Sequence, residues 1–232
     1  MATPDKFVLV SSALDYDDSF ERTIGVITAA QIRRVIAYSF LSINCKPEDV
    51  DFMFFVGRQR DSQGEANFIP KAHLLTLPAP NAKGYYSTRV QEAIKYMSTR
   101  DDVNFVMLCE DDTFVEPRRF STFCSLMDPD DMLAYGAADT NSDGGFNLGG
   151  GIILPKALIK AIAADEFYYP KENSYAEDDL IASIQKVGGT ILPEPKLNAS
   201  RSKRPSVNNT LITTHKQNVF DLVEATMLNF PN

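Results

Sequence analysis

Short apolar runs alternate with segments of helical spacing through the first half of the sequence, and this alternation limits the chain to few folds. Lys6–Ser12 (KFVLVSS) is apolar and β-branched, then turns small and polar, as a buried strand does on entering a ligand loop, which makes Ser11 a candidate binding residue. Ile32, Val35, Ile36 and Phe40 recur at helical spacing. Val50–Gly57 (VDFMFFVG) and Asn104–Cys109 (NFVMLC) read as further buried strands, with Val90, Ala93, Ile94 and Met97 marking a helix between them. Such alternation requires right-handed crossovers, so the expected fold is α/β, a Rossmann-like, mostly parallel sheet flanked by helices.

Beyond Cys109 the pattern loosens into an acidic loop, a strand over Met132–Ala137 and the glycine-rich segment Gly144–Gly151. Leu158 and Ile162 then mark a short helix, Leu180, Ile184 and Val187 another, and Val219, Leu222, Val223 and Met227 a last one. Pro193–Thr214, rich in Pro, Asn, Ser and basic residues, reads as a long loop over the site. With 232 residues and 44% hydrophobic content, one compact domain is expected.

A net charge of −8 argues against nucleic acid as a partner, because backbone phosphates call for a dense basic surface. No stretch approaches the roughly 20 apolar residues of a membrane span. The start MATPDKFVLV also lacks the long apolar core of a signal peptide. Cys45, Cys109 and Cys124 follow no metal or disulfide spacing, so a reducing, cytoplasmic compartment is expected, with an excised lumenal domain of a Golgi enzyme as the alternative.

Glu110-Asp111-Asp112 directly follows an apolar strand, where open parallel sheets bind ligands. In an extended segment alternate residues point the same way, so Glu110 and Asp112 are expected to face a divalent cation together. Hard oxygen ligands suit Mg²⁺ or Mn²⁺. A solvated acidic turn is the alternative. Gly149-Gly150-Gly151 precedes the apolar Ile152-Ile153-Leu154, and its glycines permit a backbone that faces a ligand closely. Glu177-Asp178-Asp179 opens a helix, where acids also serve as caps.

Phe105-Val-Met-Leu-Cys-Glu-Asp-Asp-Thr-Phe-Val resembles the strand and metal motif of the inverting β-1,3-glycosyltransferases, the superfamily of the fringe proteins and β-1,3-galactosyltransferases. Phe55-Val-Gly-Arg58, His73-Leu-Leu-Thr-Leu-Pro-Ala-Pro with Tyr85-Tyr86, Leu148-Gly-Gly-Gly-Ile-Ile-Leu154 and Glu177-Asp178-Asp179-Leu180-Ile181-Ala182 resemble further segments of that family in its order. Glu110, Gln91 and Ala182 depart from its usual aspartate, lysine and glycine.

The resemblance implies a GT-A-type fold and transfer of a hexose, galactose first, from a UDP-sugar to a glycan or glycoprotein acceptor, with Mn²⁺ (or Mg²⁺) as cofactor. It implies a nucleotide-sugar half at 1–112 and an acceptor half at 113–232. Asp178 falls at the position of the general base. His215, after the long loop, falls at that of a metal-binding histidine and joins Glu110 and Asp112. Ser11, Arg58, Glu110, Asp111, Gly149, Gly150 and Gly151 are then the donor-binding candidates. Rival readings are a metal-dependent phosphohydrolase or nucleotidyltransferase, which also uses paired carboxylates beyond a strand, and a non-catalytic sugar-binding module of the same fold.

Overall fold

The computed structural model describes residues 4–11, 47–58, 67–69, 74–80, 85–110, 113–139, 145–165, 176–199 and 210–215. The helices expected around Ile32–Phe40 and Val219–Met227 lie outside them, as do Cys45, His73, Asp111, Asp112 and residues 200–209 of the 193–214 loop. Eight strands form one sheet: β1 (Lys6–Ser11), β2 (Val50–Arg58), β3 (Asn67–Ile69), β4 (Leu74–Pro80), β5 (Phe105–Glu110), β7 (Leu133–Gly136), β8 (Ile152–Pro155) and β9 (Thr190–Pro193). Their order is β3-β4-β2-β1-β5-β8-β7-β9. β6 (Phe114–Val115) and β10 (Thr213–Thr214) make a separate two-stranded ribbon.

The centre of the sheet is parallel, β4-β2-β1-β5, and so is the outer pair β7-β9. β8 runs antiparallel to both β5 and β7 and splices the two parallel groups together. The expected α/β fold with a mostly parallel, helix-flanked sheet is therefore present, and a single sheet crosses from one side of residue 112 to the other.

Burial on both faces explains why the strands read as nearly continuous apolar runs rather than alternating ones. Phe7 and Leu9 of β1, Val106 and Leu108 of β5, and Ile152 and Leu154 of β8 enter one core. Val8, Val10, Met107, Cys109 and Ile153, from the same strands, enter the other. The first core is covered by α1 (Tyr86–Ser98), α3 (Lys156–Ala164) and α4 (Ala176–Lys186), whose apolar positions Val90, Ile94, Leu158, Ile162, Leu180 and Ile184 recur at helical spacing.

The second core is closed by α2 (Pro117–Cys124), Leu197 and Ile212. Pro117 begins that helix and Glu116 caps it, its carboxylate accepting from the amides of Arg118 and Arg119 at 3.3 and 2.8 Å. Cys109 and Cys124 are buried and stand outside any disulfide. Among the described residues no helix is long and apolar enough to cross a membrane.

Candidate active site

The strand order reverses beside β1: the chain runs outward to β2 and β4, then returns to β1's other side as β5. Such a switch point opens a crevice beyond the strands' carboxyl ends. Ser11 and Glu110, last residues of β1 and β5, are register partners there. Arg58 ends β2 at the same edge.

Past β5 the Thr113 amide donates to the Glu110 carbonyl at 3.1 Å. From Thr113 the chain enters β6, whose Phe114 pairs with Thr214 and Val115 with Thr213 of β10.

This ribbon delivers His215 to the end of β5. The His215 amide donates to the Asn198 carbonyl at 3.0 Å, and its Nε2 lies 3.1 Å from Glu110 Oε2. The imidazole is buried, while the Glu110 side chain keeps 38% of its surface in contact with solvent.

The ring needs the glycine turn beneath it. A Cβ at Gly149 would stand 2.1 Å from His215 Cε1, and one at Gly150 would stand 2.4 Å from the Ala137 Cβ. Gly151 takes φ +105°, a conformation that side chains oppose. All three glycines are buried, and the absence of a side chain at Gly149 makes room for the imidazole.

Asp178 lies exposed in the first turn of α4. Its neighbour Glu177 carries the electrostatic signature. Burial pushes the Glu177 carboxyl above the usual range, and the charges of Glu110, Asp178 and Asp139 push the same way. Glu110, from a strand end, and Glu177, from a helix start, therefore share one field. Asp139, just past β7, belongs to it as well.

No protein-family model matches the sequence, and no curated protein matches it. Several solved structures are similar to the chain. One is a glycosyltransferase involved in the glycosylation of the major capsid of PBCV-1, with TM-score 0.47 and 11% identity over 95% of this chain and 99% of that one. Another, described as a nucleotide-diphospho-sugar transferase from Desulfovibrio desulfuricans G20, gives 0.43 and 11% over 83% and 80%. The apo form of the glycosyltransferase GlyE from Streptococcus pneumoniae TIGR4 gives 0.41 and 10% over 84% of this chain and 46% of that one. None of the three superpositions reaches a TM-score of 0.5.

Glu110 and His215 offer a hard carboxylate oxygen and an imidazole nitrogen. Their 3.1 Å separation is close to the spacing of adjacent donors around an octahedral ion. With bonds of about 2.1 Å that spacing is about 3 Å. A mixed oxygen and nitrogen set suits Mn²⁺ better than Mg²⁺. The two side chains thus fit two positions of a cation's shell, and among the described residues no group of three or more such side chains forms.

Sequence reasoning missed Asp139 and the ribbon that carries His215. Two-residue strands have no periodicity to read, and Asp139 gains its meaning only from tertiary proximity.

Proposed function

We propose that the chain is a GT-A-type, metal-dependent, inverting glycosyltransferase that moves a hexose, galactose first, from a UDP-sugar to a hydroxyl of a glycan or glycoprotein acceptor. The observation that carries this reading is the meeting of Glu110 and His215, 105 residues apart in sequence, at the carboxyl end of a central strand. Both residues stand at metal-binding positions of the family that the sequence resembles.

In this reading residues 1–112 form the donor half and 113–232 the acceptor half of one catalytic domain. Ser11, Arg58, Glu110 and Asp111 contact the donor. Glu110, Asp112 and His215 would hold Mn²⁺, which when bound supplies positive charge against the departing diphosphate. Asp178 accepts the proton of the acceptor hydroxyl as that oxygen bonds to the anomeric carbon, and the bond to the diphosphate breaks on the opposite face, which inverts the configuration. Its exposure at the helix start leaves it open to an acceptor. Glu177 is the second candidate for the base. Its burial among like charges favours proton uptake nearer neutrality, as general-base work requires.

Calorimetry of UDP binding with and without Mn²⁺, followed by a panel of nucleotide sugars assayed for transfer and slow donor hydrolysis, tests the reading. We expect UDP to bind tightly only with the metal and one UDP-hexose to be hydrolysed. Equal UDP affinity in both conditions would remove the metal-bridged site, and phosphomonoester hydrolysis without sugar transfer would select the phosphohydrolase.

A further inference from the structure

Two buried hydroxyls hold consecutive carbonyls of the turn beneath His215. Thr113 Oγ1 donates to the Gly149 carbonyl at 2.5 Å, and Thr213 Oγ1 donates to the Gly150 carbonyl. Both threonines are essentially fully buried, at 0% and 1% exposure, where a hydroxyl without a partner is unfavourable. They come from different segments: the Thr113 amide donates to the Glu110 carbonyl, and Thr213 lies two residues before His215.

The Asn198 amide donates to Thr213 Oγ1 at 3.1 Å, which directs the hydroxyl hydrogen toward Gly150. The Asn198 carbonyl in turn accepts from the His215 amide. One turn is thus tied on one side to the segment bearing Glu110 and on the other to the segment bearing His215. Its Gly149 is the surface against which the imidazole lies.

We infer that Thr113 and Thr213 are positioning residues, whose paired hydroxyls fix the glycine turn and through it hold the His215 ring beside Glu110. Shape alone does not account for them, since valine would fill the same volume. The ribbon also contains its own control: Thr214 is equally buried, and its hydroxyl has no hydrogen-bond partner among the described residues. The link to catalysis rests on the glycosyltransferase reading, whereas the placement of the ring does not.

Nuclear magnetic resonance on the full chain separates the two. The sequence has only two histidines, so a His73→Gln background leaves the His215 ring as the single imidazole signal. Thr113→Val and Thr213→Val should each weaken the contact between the His215 Cε1 proton and the Gly149 α-protons and move the ring's carbon shift. Thr113→Ser and Thr213→Ser should restore both signals, and Thr214→Val should change neither. In parallel, Mn²⁺-dependent UDP affinity should fall about tenfold in the two valine variants, the usual scale for a group that orients a metal ligand.

Valine variants that melt lower but keep the ring contact would overturn the inference and leave both threonines as packing. A ring that moves as described in a protein whose UDP binding ignores Mn²⁺ would uphold the positioning and sink the glycosyltransferase reading. If a valine variant does not fold, the unsubstituted protein decides by hydroxyl exchange. Thr113 and Thr213 protons should exchange with water more slowly than that of Thr214, and equal rates overturn the inference.

Discussion

At the amino edge of the sheet carboxylates meet cations and hydrogen-bond donors, whereas at the carboxyl edge Glu177 feels the charges of other carboxylates. Asp49, just before β2, accepts from Lys6 Nζ at 2.9 Å and from Ser121 at 2.5 Å. Burial pushes its carboxyl up, but these bonds outweigh it and hold it below the usual range. Asp102 is held low by the two-pronged guanidinium of Arg100, at 2.7 and 2.9 Å. At the other edge, ~15–20 Å away along strands of about five or six residues, Glu177 is pushed up by burial and by Glu110, Asp178 and Asp139. One edge closes its charges: Lys6 ties Asp49 to the start of β1, and the Asn104 amide group ties the start of β5 to Asp5 at 2.8 Å. The other keeps negative charge concentrated where an incoming cation or proton would relieve it.

The contrast predicts that removing a carboxylate costs activity at one edge and stability at the other. The largest effect belongs to Asp178→Asn, which keeps size and helix-start geometry but cannot accept a proton. Transfer should fall by ~10²–10⁴-fold with donor affinity nearly unchanged. Steady-state kinetics beside UDP calorimetry checks this. Undiminished transfer would move the base to Glu177, and a matching loss in Glu177→Gln would establish it there.

Next comes Gly149→Ala. The added Cβ has no room beside the imidazole, so the ring or the turn must shift, at about 1–3 kcal/mol for overpacking. Mn²⁺-dependent UDP affinity should drop with it, and a variant with parental melting temperature and parental affinity would contradict the packed ring.

At the amino edge Asp49→Asn should cost about 1 kcal/mol, since both Lys6 and Asp49 keep some contact with water. That corresponds to a melting temperature lower by about 3 °C. Transfer by the folded protein should not change. Because the folded carboxyl titrates below its unfolded value, its stabilisation is present above the unfolded value and lost as pH falls through the folded one. Melting curves of parent and variant should therefore converge in acid. A gap that persists at low pH would show a packing effect instead.

The smallest effect has the opposite sign. Glu177 titrates higher when folded, so its ionisation destabilises the fold above that value and carries no penalty below the unfolded one. Glu177→Gln should melt slightly higher than the parent at neutral pH and level with it near pH 4. A lower melting temperature at neutral pH would mean that the ionised carboxylate is satisfied by partners stronger than its like-charged neighbours.

Much of the fold is legible before folding, and the part that is not has a physical reason. The runs around Val8, Phe54 and Leu108 announce strands because both faces are buried, and Val90, Ile94 and Leu180 announce helices because one face is. Glu110, Asp178 and His215 stand out through their setting in segments that resemble a known family. β3, β9 and the ribbon do not stand out: two to four residues carry no period, and Thr213-Thr214 looks like polar loop. Helix α2 hides behind Arg118, Arg119 and Ser121, although Glu116-Pro117 is a legible start signal. No local pattern distinguishes the carboxylates of the two edges. What separates Asp49 from Glu177 is the company each keeps after strands from distant parts of the chain align.

The late position of His215 also affects the order in which the protein acquires competence during synthesis. Among the described residues the strands of the sheet end at Pro193, so in a nascent chain these strands are made before Thr213 and His215. Contacts that close so long a span come after local ones, because loop entropy must first be overcome. An unfinished chain would hold Glu110 without its imidazole partner, and the last-made ribbon would act as the step that arms a scaffold already built.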